Sequence, residues 1–314
     1  MKTYTSVDSI RPPLDRPMLT LGNFDGVHRG HQYIISNTLD HARSAGREAL
    51  LATFRPHPLK VIRPDSAPPL LTTHEEKMRR IEELGVGHAL VIPFTESFAE
   101  IPAELFVRDI LHRGLSASAV FVGSNFNFGR GREGNVALLR RLGHELGFQI
   151  PVMQEFLVLG SPVSSSRIRR AILSGEVELA RELLGRPFAI SGTVVRGVSR
   201  GASLGYPTAN LETSSEILPA DGVYVTRAVL GGREHSAVTN VGSRPTFDRA
   251  GFAVETHFLD SPGDVYDRPL EVQFLARLRP ELKFSTREHL VRQIAADVEK
   301  ARKFFQDFPT STIR

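Results

Sequence analysis

Two histidines set among glycines are the first residues of the sequence whose type and spacing could do chemistry. They belong to the segment Gly22-Asn23-Phe24-Asp25-Gly26-Val27-His28-Arg29-Gly30-His31, which follows an apolar run and opens a helical pattern. Glycines let a backbone approach phosphate closely, and a helix N-terminus supplies oriented N–H donors. The spacing places the imidazoles of His28 and His31 on one side of the first helical turn, where they could donate hydrogen bonds to phosphate oxygens during phosphoryl or nucleotidyl transfer. An ordinary glycine-rich turn with two solvent-facing histidines is the alternative.

The elements that must position this segment are short apolar runs alternating with helical patterns up to about residue 185. The strand-like runs are Met18–Leu21, 49–54, 88–94, Ala119–Gly123 and 149–156. The helical patterns are Arg29–Ser44, a helix capped by Thr73 and Glu76 that runs through Leu84, one from Pro102 to near Gly114, and 135–146. The alternation predicts a doubly wound α/β domain with a mostly parallel sheet. Ligands of such domains collect at the carboxyl ends of strands, where the histidine segment falls.

The pattern changes after Gly185-Arg186-Pro187. Short β-like runs, punctuated by Gly and Pro, occupy 190–196, 223–230, 236–241, 254–259 and 270–275. They predict a small β-barrel or sandwich. A last helix is expected to begin at Ser285, where Glu288 completes a capping box. We therefore predict two domains, residues 1–185 and residues 186–314.

A second polar segment, Ser164-Ser165-Ser166-Arg167, combines hydroxyls with a guanidinium at a helix start. Such a combination suits the β- and γ-phosphates of ATP. A serine N-cap for a helix over 168–173 is the plainer interpretation. The two are compatible, because a capped helix start is where the donors lie.

The second half has its own glycine- and arginine-rich stretch, Arg200-Gly201-Ala202-Ser203-Leu204-Gly205-Tyr206-Pro207-Thr208-Ala209-Asn210. It is not a Walker loop, because GxxxxGK[ST] is absent. Thr208 and Asn210 offer oxygen ligands of the type that Mg²⁺ accepts alongside phosphate and water. A long connection between strands is the alternative.

One further motif, Gly129-Arg130-Gly131-Arg132-Glu133-Gly134, satisfies GxGxxG and precedes a helix. It does not follow a strand directly, and without that context a dinucleotide fingerprint is weak. We interpret it as a flexible loop.

The string GNFDGVHRGHQ contains the HxGH signature of the HIGH nucleotidyltransferase superfamily and resembles, over its full length, the bifunctional riboflavin kinase/FAD synthetases of prokaryotes. Other segments resemble that family in the family's order: Thr53-Phe54-Arg55-Pro56-His57-Pro58, Val122-Gly123-Ser124-Asn125-Phe126-Asn127-Phe128-Gly129, Ser164-Ser165-Ser166-Arg167-Ile168-Arg169, the PTAN motif at 207–210, and Val254-Glu255-Thr256-His257. The resemblance covers nearly the whole chain, which makes it far more specific than HxGH alone.

For the first domain the resemblance implies an FMN adenylyltransferase with His28 and His31 as catalytic residues. The implied ATP contacts are Gly22, Phe24, Asp25, Gly30, Ser164, Ser165, Ser166 and Arg167. The implied flavin pocket contains His57, Asn125, Phe126 and Phe128. For the two phenylalanines a place in the core is the alternative. Asn125 departs from the Asp of many relatives, which leaves open whether this position contacts flavin or phosphate.

For the second domain the resemblance implies an all-β riboflavin kinase barrel. The implied ATP contacts are Arg200, Gly201, Gly205, Thr208 and Asn210, and Thr208 and Asn210 are the implied Mg²⁺ ligands. Glu255 matches the carboxylate that takes the proton from the riboflavin 5′-hydroxyl, and general-base help of this kind requires a carboxylate within hydrogen-bond reach. Without the resemblance, a surface glutamate on an edge strand is the preferred interpretation of Glu255.

Two reactions are therefore expected. The barrel transfers the γ-phosphate of ATP to riboflavin and gives FMN and ADP, and the α/β domain joins FMN to the AMP part of ATP and gives FAD and pyrophosphate. Mg²⁺ is expected in both. The expected partners are flavins and ATP, with no nucleic acid and no membrane, and homo-oligomer formation is left open.

Composition limits the rival interpretations. No apolar stretch is long enough to span a membrane, the N-terminus has no signal-peptide core, and the absence of cysteine excludes disulfides and thiolate metal sites, so a cytoplasmic setting is expected. The 39 Lys and Arg residues are scattered and nearly balanced by 35 Asp and Glu. The alternatives are a basic RNA-binding protein with an inactive transferase fold, a transferase with a degenerate kinase domain, and a superfamily enzyme with another acceptor. Retention of both histidines, the Ser/Arg segment and Glu255 argues against a decayed, RNA-binding protein, and the PTAN-like motif with Glu255 argues against another acceptor. Whether only one of the two halves is active stays open.

Overall fold

A computed structural model describes residues 1–196, 204–244 and 251–308. The chain divides into two compact units, Met1–Val163 and Ser164–Arg314. This division precedes residue 185, because the two helices that follow Val163 are grouped with the barrel. The functional boundary expected at residues 185 and 186 stays a prediction. Along the described part of the chain, no helix has the length and apolar character needed to cross a membrane.

The strands of the first unit are short. They are β1 (Lys2–Tyr4), β2 (Met18–Leu21), β3 (Ala49–Arg55), β4 (His88–Pro93), β5 (Ala119–Gly123), β6 (Asn127–Phe128), β7 (Gly134–Asn135), β8 (Val152–Met153), β9 (Leu157–Val158) and β10 (Ser161–Pro162). Six of the described strands form a parallel sheet in the order β1-β4-β3-β2-β5-β8. The order reverses at β2, whose neighbours are β3 and β5. The crevice beyond the carboxyl ends of β2 and β5 is therefore the expected ligand position in a sheet of this kind.

The helices of the first unit follow the strands. They are α1 (Arg29–Ser44), α2 (Pro58–Ile62), α3 (His74–Glu83), α4 (Glu96–Ala99), α5 (Ala103–Leu105) and α6 (Val136–Leu146). The predicted cap of α3 is present, since the Thr73 hydroxyl accepts from the Glu76 N–H at 3.1 Å. Asn135, expected as the first helical residue, is instead the N-cap of α6. The helix expected between Pro102 and Gly114 is present, but Phe106–Gly114 has π-helical rather than α-helical hydrogen bonding.

Apolar side chains cover both faces of the parallel sheet. Alternate residues of β3 divide between the faces: Leu50 and Ala52 join a cluster with Phe106 and Leu139, whereas Leu51 joins another with Ile35 and Ile81. Two separate clusters on one sheet are what a doubly wound domain requires, because helices must cover each face. The predicted α/β class is confirmed.

The GxGxxG stretch is a loop, as expected, and it is anchored. It begins after the ribbon strand β6, not after a strand of the main sheet. The Arg130 N–H donates to the Ile101 carbonyl at 2.9 Å, and the Ala103 N–H donates to Glu133 Oε1 at 2.9 Å. The motif therefore forms a local anchored turn, and it lacks the strand-to-helix context of a dinucleotide fingerprint.

The second unit begins with two helices and continues as a barrel. Its elements are α7 (Ser165–Leu173), α8 (Val177–Leu184), β11 (Phe188–Val195), β12 (Ala209–Thr213), β13 (Gly222–Leu230), β14 (Arg233–Arg244), β15 (Gly251–Phe258), β16 (Pro269–Pro280) and α9 (Arg287–Asp307). Within the described residues the strands close in the order β11-β12-β15-β14-β13-β16, with antiparallel neighbours. Of the two all-β forms expected, the barrel is the one present.

Three local expectations differ from the structure. The run 149–156 contains only the two-residue strand β8. The last helix is capped by Thr286, whose hydroxyl accepts from the His289 N–H at 3.2 Å, and not by Ser285. No strand was expected over the residues of β12, because the turn residues directly before it dominate this part of the sequence.

The barrel interior contains a row of buried hydroxyls. Thr226 Oγ1 lies 2.7 Å from Thr239 Oγ1, which lies 3.0 Å from Thr256 Oγ1, and all three side chains are fully buried. The row ties β13, β14 and β15 together. Outside, the Arg277 guanidinium of β16 donates to the carbonyls of Ser174, the C-cap of α7, and of Asp221, directly before β13, at 3.1 and 2.8 Å. The Arg277 N–H donates to Glu178 Oε1 of α8 at 3.1 Å, so both helices are held to β16.

The anchored GxGxxG loop yields a test. A Cβ at Gly129 would lie 2.5 Å from Ala103 Cα, whereas one at Gly131 would meet nothing within 4 Å, and both residues have positive φ (74° and 58°). We expect Gly131→Ala to cost about 1 kcal/mol of unfolding free energy from the backbone alone. Gly129→Ala should cost roughly 1–3 kcal/mol more through overpacking. Because the chain has no tryptophan, urea unfolding followed by circular dichroism is the measurement. Equal costs at the two sites would contradict the packing described here.

Candidate active sites

The loop between β2 and α1 is hydrogen-bonded to neighbouring segments at several points along its length. Three hydrogen bonds join it to neighbouring segments: Gly22 N–H to Ala52 O (3.2 Å), Leu71 N–H to Asp25 Oδ1 (2.9 Å) and Gly26 N–H to Thr72 Oγ1 (3.3 Å). The loop is therefore held from both β3 and the segment that precedes α3.

The loop also contains unusual backbone. Phe24 and Val27 have φ of 51° and 40°, although neither is glycine, and both side chains are about fully buried. Such conformations cost on the order of 1–3 kcal/mol and persist only when surrounding contacts determine them. Burial of two apolar side chains and the flanking hydrogen bonds supply those contacts.

His28 and His31 form a stacked pair at the start of α1. His28 is the N-cap, and its Nδ1 accepts from the His31 N–H at 3.3 Å. The ring centroids are 3.6 Å apart with an interplanar angle of 15°. Since Nδ1 of His28 accepts, the proton of a neutral His28 ring lies on Nε2, which is thus the donor. A Cβ at Gly30 would lie 3.3 Å from the His28 ring, so this position favours glycine.

The stacked pair favours neutral imidazoles. Burial, then His28, then Lys77 lower the pKa of His31 well below its ordinary value. Two imidazolium charges 3.6 Å apart would repel by about 5 kcal/mol even at an effective dielectric constant of about 20. Within the described residues His31 Nδ1 is buried without a hydrogen-bond partner. At neutral pH His31 therefore offers a neutral hydrogen-bond donor, and the pair does not carry two positive charges.

The loop after β5 lies at the other side of the switch point and carries the predicted flavin residues. Asn125 is exposed, Phe126 is partly buried, and Phe128 is buried in the core beside Phe106 at a centroid distance of 5.7 Å. Phe126 and Phe128 stack on each other at 5.5 Å. A core position, one of the two alternatives for the phenylalanines, therefore describes Phe128, while Phe126 keeps exposed surface. Flavin contact stays a prediction for the group.

His57 lies close to the loop that carries the histidine pair. It caps α2, with Nδ1 accepting from the Leu59 N–H at 3.2 Å, and its Nε2 is 3.4 Å from Asn23 Nδ2. The structure thus places His57 beside the loop between β2 and α1. The role of His57 in flavin binding stays a prediction.

The Ser/Arg segment is a capped helix start, as expected. Ser164 is the N-cap of α7, and its Oγ accepts from the Arg167 N–H at 3.3 Å. Ser164 and Ser166 are exposed, and Ser165 and Arg167 are partly exposed. The segment belongs to the second unit, and its contribution to a transferase ATP site stays a prediction.

The barrel places Glu255 between two asparagines. Glu255 of β15 pairs directly with Asn210 of β12 on one side and with Asn240 of β14 on the other. Directly paired residues share a face of a sheet, so the three side chains form one row. The row lies on the face opposite Thr256, which is fully buried in the barrel interior.

The turn before β12 brings Thr208 to the same row. Thr208 lies two residues before Asn210, and His257 lies two residues after Glu255. His257 Nδ1 donates to the Pro207 carbonyl at 2.9 Å and so holds the turn against β15. Gly205 adopts φ of 87° in this turn. Arg200 and Gly201, the other predicted ATP contacts, lie outside the described residues.

With both sites in view, the comparisons with known proteins decide the family. A family model described as FAD synthetase matches residues 12–167, and one described as riboflavin kinase matches residues 184–305. The chain is 38% identical over 307 residues to the bifunctional riboflavin kinase/FMN adenylyltransferase of Escherichia coli strain K12, covering 97% of this chain and 98% of the relative. The chain belongs to the bifunctional riboflavin kinase/FMN adenylyltransferase family.

Other relatives agree over a similar length. The bifunctional riboflavin kinase/FMN adenylyltransferase of Pseudomonas fluorescens is 36% identical over 303 residues, with 96% of this chain and 97% of the relative covered. A crystal structure named as a macrolide-efflux protein from Streptococcus pneumoniae is 29% identical, with a TM-score of 0.86 over 96% of this chain and 98% of that one. The expected family, its two-part fold and its pair of enzymatic activities are confirmed. The RNA-binding and degenerate-kinase alternatives are not favoured by these matches.

The sequence analysis assigned no role to three residues that lie at the candidate sites. Lys77 of α3 reaches the loop after β2, where its Nζ donates to the Asn23 carbonyl at 3.2 Å. Asn240 and His257 flank the Glu255 row. The positions of Asn240 and His257 could have indicated these two residues. Asn240 lies on the strand next to that of Glu255, and His257 lies two residues after Glu255. Nothing local marks Lys77, because a lysine in the first turns of an amphipathic helix is ordinarily exposed.

The neutral state of His31 is testable by NMR. With ¹³C-labelled histidine, we expect the His31 ring signal to stay at its neutral position as the pH is lowered from 7 to 6, because burial and two neighbouring groups lower its pKa. His31→Gln assigns the signal. A folded-state titration with a midpoint near the ordinary value of about 6.5 would contradict the buried, stacked environment.

Proposed function

We propose that the loop after β2 and the start of α1 bind the ATP phosphates for adenylyl transfer to FMN. A phosphate oxygen of FMN forms a bond to the α-phosphorus of ATP as the bond from that phosphorus to the bridging β-oxygen breaks, giving FAD and pyrophosphate. His28 and His31 donate hydrogen bonds to oxygens that gain charge, and Gly22 and Gly30 let the backbone approach. Positioning and charge stabilisation account for most catalysis of this type, so no protein nucleophile is needed.

We propose further that the barrel phosphorylates riboflavin. Glu255 takes the proton of the 5′-hydroxyl, the oxygen forms a bond to the γ-phosphorus of ATP, and the bond to the β-bridging oxygen breaks, giving FMN and ADP. Asn210 and Asn240 border the carboxylate by direct strand pairing and orient it. Kinase ATP contacts from Thr208 and Asn210 are supported by their position beside Glu255, and a contact from Gly205 by its place in the turn that leads to them.

Mg²⁺ fits the donors that the barrel offers. The Thr208 hydroxyl and the Asn210 amide are neutral oxygen ligands, and Mg²⁺ in phosphoryl-transfer sites is bound by few protein groups together with phosphate and water. Along the described residues no group of three or more His, Cys, Asp or Glu side chains could hold a metal ion. Such a cage is not needed for a metal that arrives with ATP, where it neutralises phosphate charge.

Two observations carry the proposal. For the transferase it is the stacked histidine pair at a helix N-terminus beside the sheet's switch point. For the kinase it is the direct pairing of Asn210 with Glu255, which joins the predicted metal ligand to the predicted base. A transferase with a decayed kinase barrel gives no reason for this row of polar side chains.

The primary test incubates the full chain with riboflavin, ATP and Mg²⁺ and separates the flavins by chromatography. We expect FMN to appear first and FAD to follow, because FMN is the product of one site and the substrate of the other. Absence of both would overturn the proposal, and FMN without FAD would restrict it to the barrel.

His31→Ala localises the adenylyl transfer. We expect FAD formation from supplied FMN to fall by about 100- to 1,000-fold, the usual effect of removing one donor to developing charge. FMN formation from riboflavin should continue. His41→Ala, an exposed histidine of the same helix, is the matched control and should change neither rate. Loss of kinase activity in His31→Ala would reverse the assignment of the sites.

Glu255→Gln localises the kinase. We expect riboflavin phosphorylation to fall by roughly 100- to 10,000-fold through loss of the general base, with FMN still converted to FAD. Glu212→Gln, an exposed glutamate on the neighbouring strand β12, is the control. Retention of kinase activity in Glu255→Gln would remove Glu255 from the mechanism.

A further inference from the structure

A buried ammonium group, that of Lys77, contacts the loop between β2 and α1. Lys77 is 9% exposed, and its Nζ donates to the Asn23 carbonyl at 3.2 Å and to Thr53 Oγ1 at 3.1 Å. Thr53 Oγ1 in turn donates to the same Asn23 carbonyl at 3.2 Å. Lysine is rarely buried unless it is paired, so the arrangement needs a reason.

The two donors fix the orientation of one peptide group. The Asn23–Phe24 bond is trans, so its N–H points away from the carbonyl that Lys77 and Thr53 hold. Phe24 itself has φ of 51°, a conformation that a flip of this peptide would relieve. Without Lys77 the carbonyl would keep only the Thr53 hydroxyl. The ammonium is therefore one of the two donors that oppose the flip, and the only charged one of the two.

The N–H that this orientation presents is uncommitted. The N–H groups of Gly22 and Gly26 are bonded to Ala52 and Thr72, whereas the Phe24 N–H has no acceptor anywhere in the described chain. Phe24 lies in the loop that leads to the histidine pair, and its ring contacts His31 edge-on at 5.3 Å. A backbone N–H left over beside a helix N-terminus is a donor for an anion.

We propose that Lys77 is a positioning residue for adenylyl transfer, which holds the Asn23 carbonyl so that the Phe24 N–H faces an ATP phosphate. Lys77 acts through the loop and does not touch the substrate. The inference rests on the proposed transferase function of this loop. It extends that function to a residue that the histidine motif does not contain.

The charge of Lys77 makes the proposed positioning of the loop sensitive to pH. Burial lowers the pKa of Lys77 to about 8; Arg55 acts in the same direction, while Asp25 opposes it. His31 and His74 also face the ammonium, and Lys77 lowers the pKa of each. Because the lysine is charged below its pKa, the loop is held at neutral pH and loosened as the pH rises through about 8.

The test compares Lys77→Met with Arg79→Met, which removes an exposed cation from the same helix. We expect Lys77→Met to lower kcat for FMN adenylylation by roughly 100-fold, the scale of a small misplacement or one lost donor. Its KM for ATP should change little, and riboflavin phosphorylation in the same molecule should continue. Arg79→Met should change neither activity. Equal losses of both activities in Lys77→Met, or no loss, would overturn the proposal.

Two further measurements use the unsubstituted chain, so they do not depend on whether a variant folds. The kcat/KM for adenylylation should fall on the alkaline side with an apparent pKa near that of Lys77, about 8, and the kinase reaction in the same chain should lack this limb. The backbone amide signal of Phe24 should shift when ATP with Mg²⁺ is added at pH 7. An unshifted Phe24 amide in a chain that makes FAD would reject the inference alone. A chain that makes no FAD would instead reject the proposed transferase function.

Discussion

The loop between β2 and α1 has to satisfy two opposed demands, and the rest of the first unit depends on how it does so. For the proposed phosphate binding at least one N–H group, that of Phe24, must remain available, yet the loop's other polar groups are buried and need partners. Anchors from β3 and from the segment before α3 supply those partners from behind the loop. The left-handed residues Phe24 and Val27 are tolerated because these anchors and apolar burial outweigh a cost of about 1–3 kcal/mol each.

The second unit separates stability from chemistry by the alternation of a strand. Thr256 points into the barrel and joins a hydroxyl row with Thr239 and Thr226, which is fully satisfied and fully buried. The next residue, Glu255, points to the other face and joins Asn210 and Asn240. A closed antiparallel barrel fixes the register of both rows at once, because a slip of one residue would bury the carboxylate and expose the threonine. The same ladder that holds the barrel therefore aligns the proposed base.

Local signals determined much of the fold. The bounds of α1 and β5 follow from the sequence pattern, and Thr73 caps α3 as its spacing from Glu76 indicates. The failures are also local: Ser285 and Thr286 are adjacent hydroxyls, either of which can cap, and the structure uses Thr286. β12 was missed because its pairing partners, β11 and β15, are distant in sequence and supply the strand's hydrogen bonds.

By itself the sequence determined the family and its two-part fold and indicated the candidate residues of the two proposed sites, since the histidine spacing, the PTAN motif and Glu255 are visible in the order of the residues. Only the tertiary structure decided that Lys77 is buried under the loop, that Phe128 lies in the core while Phe126 keeps exposed surface, and that Asn210 pairs directly with Glu255. The physical reason is the range of the interactions. Helix caps and turns depend on neighbours within a few residues, whereas burial and strand register depend on packing between segments that are far apart in the chain.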